Sequence, residues 1–123
     1  MAVLNDAEKA LVAADVREMI ESAGETARVL RPTVQDAGFT GKRETGFTEV
    51  YASIPCEVHH LRPEDIRMKG HDLEVHVLPD ADVREGDVVE IQGHKYRVTD
   101  VVERDCFGVI THKELALERD RRG

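Results

Sequence analysis

Hydrophobic positions near the N-terminus repeat with the period of an α-helix. Five apolar side chains share one helical stripe: Val12, Val16, Met19, Ile20 and Ala23. Asn5 and Glu8 form a variant of the capping box that starts many helices, with Asn in the place of Ser or Thr. Gly24 stands where a left-handed residue commonly ends a helix. The pattern predicts a helix over residues 5–23.

After Gly24 the apolar residues recur mostly at every second position, which is typical of strands. Residues 26–33 read as a short strand that ends at Pro32. Apolar residues alternate with polar ones again over 50–58 and 73–77. The charged segment between these two runs is compatible with a helical turn or with a connection.

The C-terminal third carries the clearest strand pattern. A strand over 88–91 is followed by a turn at 92–94 and a returning strand over 95–102. A bend near Asp105 then leads into a last strand over 108–117. Together these elements predict a mainly β protein, a small β-barrel or sandwich of about six or seven short antiparallel strands with one N-terminal α-helix.

The length of 123 residues suits one domain with one hydrophobic core. We therefore expect a single domain over 1–123, with the β-barrel at 26–117 and a polar tail at 118–123. Residues 34–49 contain three glycines and no clear period, which predicts a long loop. Loops of this length are usually functional or disordered.

Charge and composition exclude several classes of protein. The chain has 17 Lys and Arg and 25 Asp and Glu residues, which gives a net charge of −8. Such a balance repels phosphate backbones and disfavours a sequence-specific nucleic-acid binder. Apolar runs are too short to cross a membrane, and the N-terminus does not resemble a secretory signal. Cys56 and Cys106 are too few for a disulfide scaffold, which predicts two reduced thiols in an intracellular protein.

A search for catalytic motifs finds little. The chain has neither a phosphate-binding loop nor a serine nucleophile elbow. On an extended strand, Cys56 lies too far from His60, and faces away from His59, for a catalytic pair. The six histidines match no metal-binding motif, although ligands could converge from separate strands. We predict no catalytic residue, no cofactor and no metal; a small metal-dependent β-barrel enzyme using some of the histidines, or a peptide-binding barrel, are the alternatives.

The order of elements, together with one hairpin, resembles a known family. The hairpin R-E-G-D-V-V-E-I-Q-G-H-K-Y-R-V-T-D-V spans 84–101, with Gly86-Asp87 before the first strand and Gly93 in the turn. In this pattern Tyr96 occupies a place where the family commonly has an aromatic residue. The chain resembles the small head–tail joining proteins, also called head-closure or stopper proteins, of long-tailed bacteriophages and prophages.

This resemblance implies a virion structural protein rather than an enzyme. It would wait in the host cytoplasm and then assemble as a homo-oligomeric ring in the virion neck, closing the filled head. Its expected partners are a portal-bound adaptor and a tail completion protein. Segments that become ordered on assembly are the expected contacts. The candidate partner-binding residues in the 34–49 loop and the tail are Phe39, Lys42, Arg43, Phe47, Arg119, Arg121 and Arg122.

Overall fold

The computed structural model of the chain describes residues 5–36 and 41–119. Its elements are α1 (Asp6–Ser22), β1 (Glu25–Asp36), β2 (Lys42–His60), α2 (Pro63–Lys69), β3 (Leu73–Val77), β4 (Val88–Ile91), β5 (His94–Cys106) and β6 (Val109–Arg119). The strands form a closed antiparallel barrel in the order β1-β2-β3-β6-β5-β4. The predicted fold class is confirmed, as a barrel rather than a sandwich.

The N-terminal helix forms where its pattern and cap predict. The Asn5 side chain accepts a hydrogen bond of 2.8 Å from the Glu8 amide at the first turn. Ile20 is buried, and α1 packs against β2 and β6 of the same chain. Val12 and Val16 are half-buried, whereas Met19 is 60% exposed, so the apolar stripe packs only in part on its own barrel. Among the described residues, no helix is long and apolar enough to cross a membrane.

The barrel interior is filled by small and medium aliphatic side chains. In β3 the side chains of Leu73, Val75 and Val77 point inward and are buried, as the alternating pattern predicts. Cys56 lies in the same core, and burial followed by the charge of Glu25 raises its pKa to about 11. Cys56 and Cys106 are both free thiols, as expected. A buried thiol with such a pKa is an inert core residue.

Two tight turns join the C-terminal strands. Gln92 and Gly93 connect β4 to β5, and both have positive φ angles of 52° and 80°. Phe107 and Gly108 connect β5 to β6 with φ angles of 54° and 84°. Two consecutive positive φ angles are typical of the type I′ turns that match the twist of a hairpin. Both predicted turns are confirmed.

Two expectations for the first half of the barrel are wrong. The first strand does not end at Pro32, because β1 continues to Asp36. Within β1, only residues 28–30 pair with β4, so Pro32 lies where β1 has β2 alone as a neighbour. Proline is tolerated at such edge positions because the missing N–H removes no second ladder bond. The described part of 34–49 is not a loop either, because 34–36 pair with 42–44.

The structure also defines three smaller features: the segment 62–70, the end of β6 and the position of Tyr51. Residues 62–70 contain the helix α2, which ends at Gly70 in the left-handed conformation. The predicted polar tail begins later than expected, since Glu118 and Arg119 belong to β6. Irregular register between β1 and β2 brings Tyr51 against the core, where its hydroxyl oxygen accepts a 2.8 Å bond from the Asp82 amide.

Candidate functional site

One exposed paired segment of the barrel is a hairpin that we name the β1–β2 arm, residues 31–36 and 42–49. In the described part of the chain, these residues pair only with each other. The pairing of β1 with β4 ends at Leu30, and the pairing of β2 with β3 begins only at Cys56. The arm is therefore a two-stranded extension of a closed barrel.

One face of the arm carries an apolar patch. Pro32 lies directly opposite Phe47, and Val34 follows two positions along β1 on the same face. Phe47 is 51% exposed and Val34 is 50% exposed. A large aromatic ring next to two aliphatic groups on a solvated hairpin is the composition of a docking surface.

Ion pairs at the base of the arm bind it back to the barrel. Arg31 donates through Nε and Nη2 to the Asp87 carboxylate at 3.1 and 3.0 Å. Glu44 accepts from Arg97 of β5 at 3.0 Å. On the other side of the hairpin, Arg28 pairs with Glu49 at 3.0 Å. These contacts hold the arm in one orientation relative to the barrel wall.

Asp87 is the centre of this anchor. Its side chain is 2% exposed and also accepts a 2.8 Å bond from the Arg84 amide. The hydrogen bond to Asp87 is the main cause that raises the pKa of Arg31. A buried carboxylate with a bidentate guanidinium partner and a backbone donor is fully satisfied, which is the condition for such a group to stabilise a fold.

The structure places the predicted partner-binding residues on different elements. Phe47 lies on the exposed face of the arm, and Lys42 and Arg43 lie in β2 opposite Asp36 and Gln35. Arg119 ends β6 opposite Tyr96, and its amide donates to the Asp72 carboxylate at 2.8 Å. The remaining three lie outside the described residues: Phe39, Arg121 and Arg122.

A second exposed hairpin end was not singled out from the sequence. We name it the β5–β6 tip, residues 103–112, which lies beyond the residues that pair with β3 and β4. Phe107 in its turn is 61% exposed, and Ile110 is 44% exposed. Because a single Phe near a glycine turn is common, the sequence carries no signal that separates this tip from an ordinary hairpin.

The outer face of β2, β3 and β6 carries what we name the histidine cluster, comprising Glu57, His59, His76, His112 and Glu114. Strand register explains the cluster, because Glu57 pairs with His76 and His76 pairs with Glu114. The ring centroids of His59 and His112 lie 4.1 and 4.6 Å from that of His76. Three histidines that are distant in sequence thus stack across three neighbouring strands.

The electrostatics of the cluster favour a neutral central imidazole. Burial lowers the pKa of His76, and the neighbouring His59 and His112 lower it further. Burial alone would raise the pKa of Glu114, but hydrogen bonds with His112 and Arg104 outweigh it and lower that pKa. A neutral histidine beside an ionised carboxylate is the protonation state that metal ligands require.

Sequence comparison adds nothing, since no family model matches the chain and no curated protein matches it. Two proteins are among the solved structures that share its fold. One is the phage-like element PBSX protein xkdH from Bacillus subtilis, with a TM-score of 0.50, 19% identity, and coverage of 78% of this chain and 93% of that chain. The other is protein SF1141 from Shigella flexneri 2a, with a TM-score of 0.51, 10% identity, and coverage of 80% and 94%.

The resemblance seen in the sequence is thereby supported at the level of the fold. A protein from a phage-like element is built on the same barrel, and both matched structures are covered almost completely. At these identities the likeness concerns architecture. The role of the chain must therefore be argued from its own surfaces.

Proposed function

We propose that this chain is a phage or prophage structural protein that joins the filled head to the tail. It assembles as a ring in the neck, between a portal-bound adaptor and a tail completion protein. It closes the head and presents a platform for the tail, and it catalyses no reaction. A barrel shared with a phage-element protein supports the phage origin.

The observation that carries this proposal is the β1–β2 arm. The arm displays Phe47 and Val34 on an extension that a buried ion pair anchors, which is an arrangement suited to docking. The anchor fixes the orientation of the patch before any partner arrives, so little conformational entropy is lost on docking. The arm is therefore the element that contacts an adaptor or tail partner.

The charge of the chain is compatible with a channel for DNA. A net charge of −8 makes the ring surface repel phosphates, so DNA passes without being held. Part of the acidity is already neutralised within the chain, since Asp87 and Asp82 face Arg31 and Asp80 faces Arg17. In this proposal, the excess of 25 acidic over 17 basic residues repels the passing DNA.

The decisive experiment removes the gene from the phage or prophage that encodes this chain. We expect filled heads and complete tails to accumulate unjoined, and the wild-type gene supplied in trans to restore joined particles. Electron microscopy and infectivity of the lysate report the outcome. Normal joined particles without the chain would overturn the proposal.

A metal-dependent enzyme is the second candidate, because the structure gathers three histidines and two glutamates at one place. A groove beside the cluster is lined by Glu74, Asp100, Arg104 and Glu114, which supply charged groups for a substrate. Turnover of a substrate by metal-loaded protein, together with joined particles in the deletion strain, would favour this candidate over the first.

A further inference from the structure

The histidine cluster contains three ligand atoms arranged as around one metal ion. Glu114 Oε2 lies 3.1 Å from His112 Nε2 and 3.6 Å from His76 Nε2. A tetrahedral zinc site with bonds near 2.0–2.1 Å has neighbouring ligand atoms about 3.3 Å apart. One distance is shorter and the other longer than that value, and both involve the same carboxylate oxygen, Glu114 Oε2.

Neighbouring groups orient these ligands as the outer shell of a metal site does. Thr111 Oγ1 lies 2.9 Å from His112 Nδ1 and donates to the Arg104 carbonyl oxygen at 3.4 Å. Without an ion, His112 Nε2–H can donate to Glu114 Oε2 at 3.1 Å. In the other tautomer Nδ1–H donates to the Thr111 hydroxyl oxygen, and the lone pair of Nε2 is free to bind an ion beside the carboxylate. Arg104 Nε holds the other carboxylate oxygen, Glu114 Oε1, at 3.0 Å.

On the other side of His76, the Nε2 of His59 is shielded from solvent, touches the Glu57 carboxylate and forms no hydrogen bond of acceptable geometry. Buried polar atoms in this state indicate a missing partner. Among the described residues, the hydrogen bonds of the cluster therefore leave one imidazole nitrogen, His59 Nε2, unsatisfied.

We propose that His76, His112 and Glu114 form a site for one divalent transition metal ion, most suitably Zn²⁺. Two imidazoles and one carboxylate suit zinc, whereas Mg²⁺ and Ca²⁺ prefer sites built from oxygen ligands. The ion links β3 to β6 on the outer face of the barrel. Three protein ligands leave a fourth position for water, and Glu57 with His59 flanks the site.

The test uses the full chain without a polyhistidine tag, stripped of metal by a chelating resin. Titration with Zn²⁺, followed by dialysis and elemental analysis, should give about one zinc per chain. At a hundredfold excess over the dissociation constant, the thermal midpoint should rise by about 10 °C. A chain that retains no zinc above buffer level would overturn the proposal.

Matched variants assign the ligands. His112→Ala and Glu114→Gln should each weaken zinc binding by at least about 100-fold. His94→Ala is the control, since His94 is exposed at the start of β5, outside the cluster. His59→Ala should leave a zinc-binding site, because His59 only flanks it. Loss of zinc in His59→Ala with binding retained in His112→Ala would contradict this assignment.

Two spectroscopic measurements support the interpretation of the zinc titration. The visible spectrum of Co²⁺ in the same site reports its coordination, and Glu114→Gln should change that spectrum without altering the circular dichroism of the stripped chain. Failure of zinc binding would leave the head–tail joining proposal intact, because that proposal depends on the β1–β2 arm. Failure of the joining experiment would likewise not count against the proposed metal site.

Discussion

The β1–β2 arm and the β5–β6 tip are two hairpin extensions of one barrel that are held in different ways. Asp87 anchors the arm, because its buried carboxylate accepts hydrogen bonds from the Arg31 side chain and from the Arg84 amide. The tip relies on a tight turn at Phe107-Gly108 and on Arg104, whose side chain is largely exposed. Both display an aromatic ring. The arm is thus built by long-range contacts and the tip by local geometry.

This difference supports the proposal that the arm, rather than the tip, is the docking hairpin. A turn with two positive φ angles forms wherever two strands meet, so the exposed Phe107 needs no functional explanation. A buried ion pair between residues far apart in sequence is costly unless its geometry is good. The Arg31–Asp87 pair lies at the start of the arm, one residue before Pro32, and fixes the orientation of the hairpin that carries Phe47.

The largest effect is expected from breaking the anchor of the arm. Asp87→Ala leaves Arg31 and the Arg84 amide without their partner, which should lower the free energy of unfolding by about 2–4 kcal/mol. Arg104→Ala in the tip is the matched control and should cost less than about 1 kcal/mol, because an exposed pair contributes little. Urea denaturation measures both. Equal costs would remove the distinction between the two hairpins.

Hydrogen exchange on the free chain tests whether the arm is formed before assembly. From the sequence we would expect the amides of 36–48 to be unprotected, as in a loop. The strand pairing of 42–48 instead predicts exchange at least about tenfold slower than in an unstructured peptide for the bonded amides. Tip amides of 103–106 should be protected to a similar degree. Random-coil rates throughout 42–48 would restore the loop interpretation.

Glycine substitutions should act in opposite directions in the two hairpins. Gly108 has a φ of 84°, so Gly108→Ala should destabilise the chain by about 1 kcal/mol. Gly46 in the arm has no positive φ and open space around it, so Gly46→Ala should be neutral or stabilise by about 0.5 kcal/mol. Thermal denaturation distinguishes the signs. A loss of stability in Gly46→Ala would mean that the arm backbone is strained.

The sequence predicted those parts of the fold that local patterns determine. The helix α1, the alternating strand β3 and the turn at Gln92-Gly93 each carry a pattern within about 5–20 residues, and all three are confirmed. The arm carries no such pattern. Its strands are polar and glycine-containing, and they are held by partners in β5 and before β4 that no local window includes.

The candidate surfaces were predicted only in part for the same reason. Phe47 was singled out as an aromatic residue in a polar stretch, and it is exposed on the arm. Its supporting contact, Arg31 with Asp87, depends on tertiary structure and could not be seen. The stacking of His59, His76 and His112 depends on the register of three strands, which hydrophobic periodicity does not specify.

The joining of heads to tails by two matched variants tests the central claim most directly. Phe47→Asp and Phe107→Asp each place one carboxylate on an exposed hairpin, and each is supplied in trans to the deletion strain. Since burying one phenyl ring contributes roughly 1.5–3 kcal/mol, Phe47→Asp should reduce joined particles by at least about tenfold. Phe107→Asp should support joining at the wild-type level, with both variants melting close to the wild-type temperature. Normal joining with Phe47→Asp, or an equal loss with Phe107→Asp, would contradict the assignment of the β1–β2 arm as the docking element.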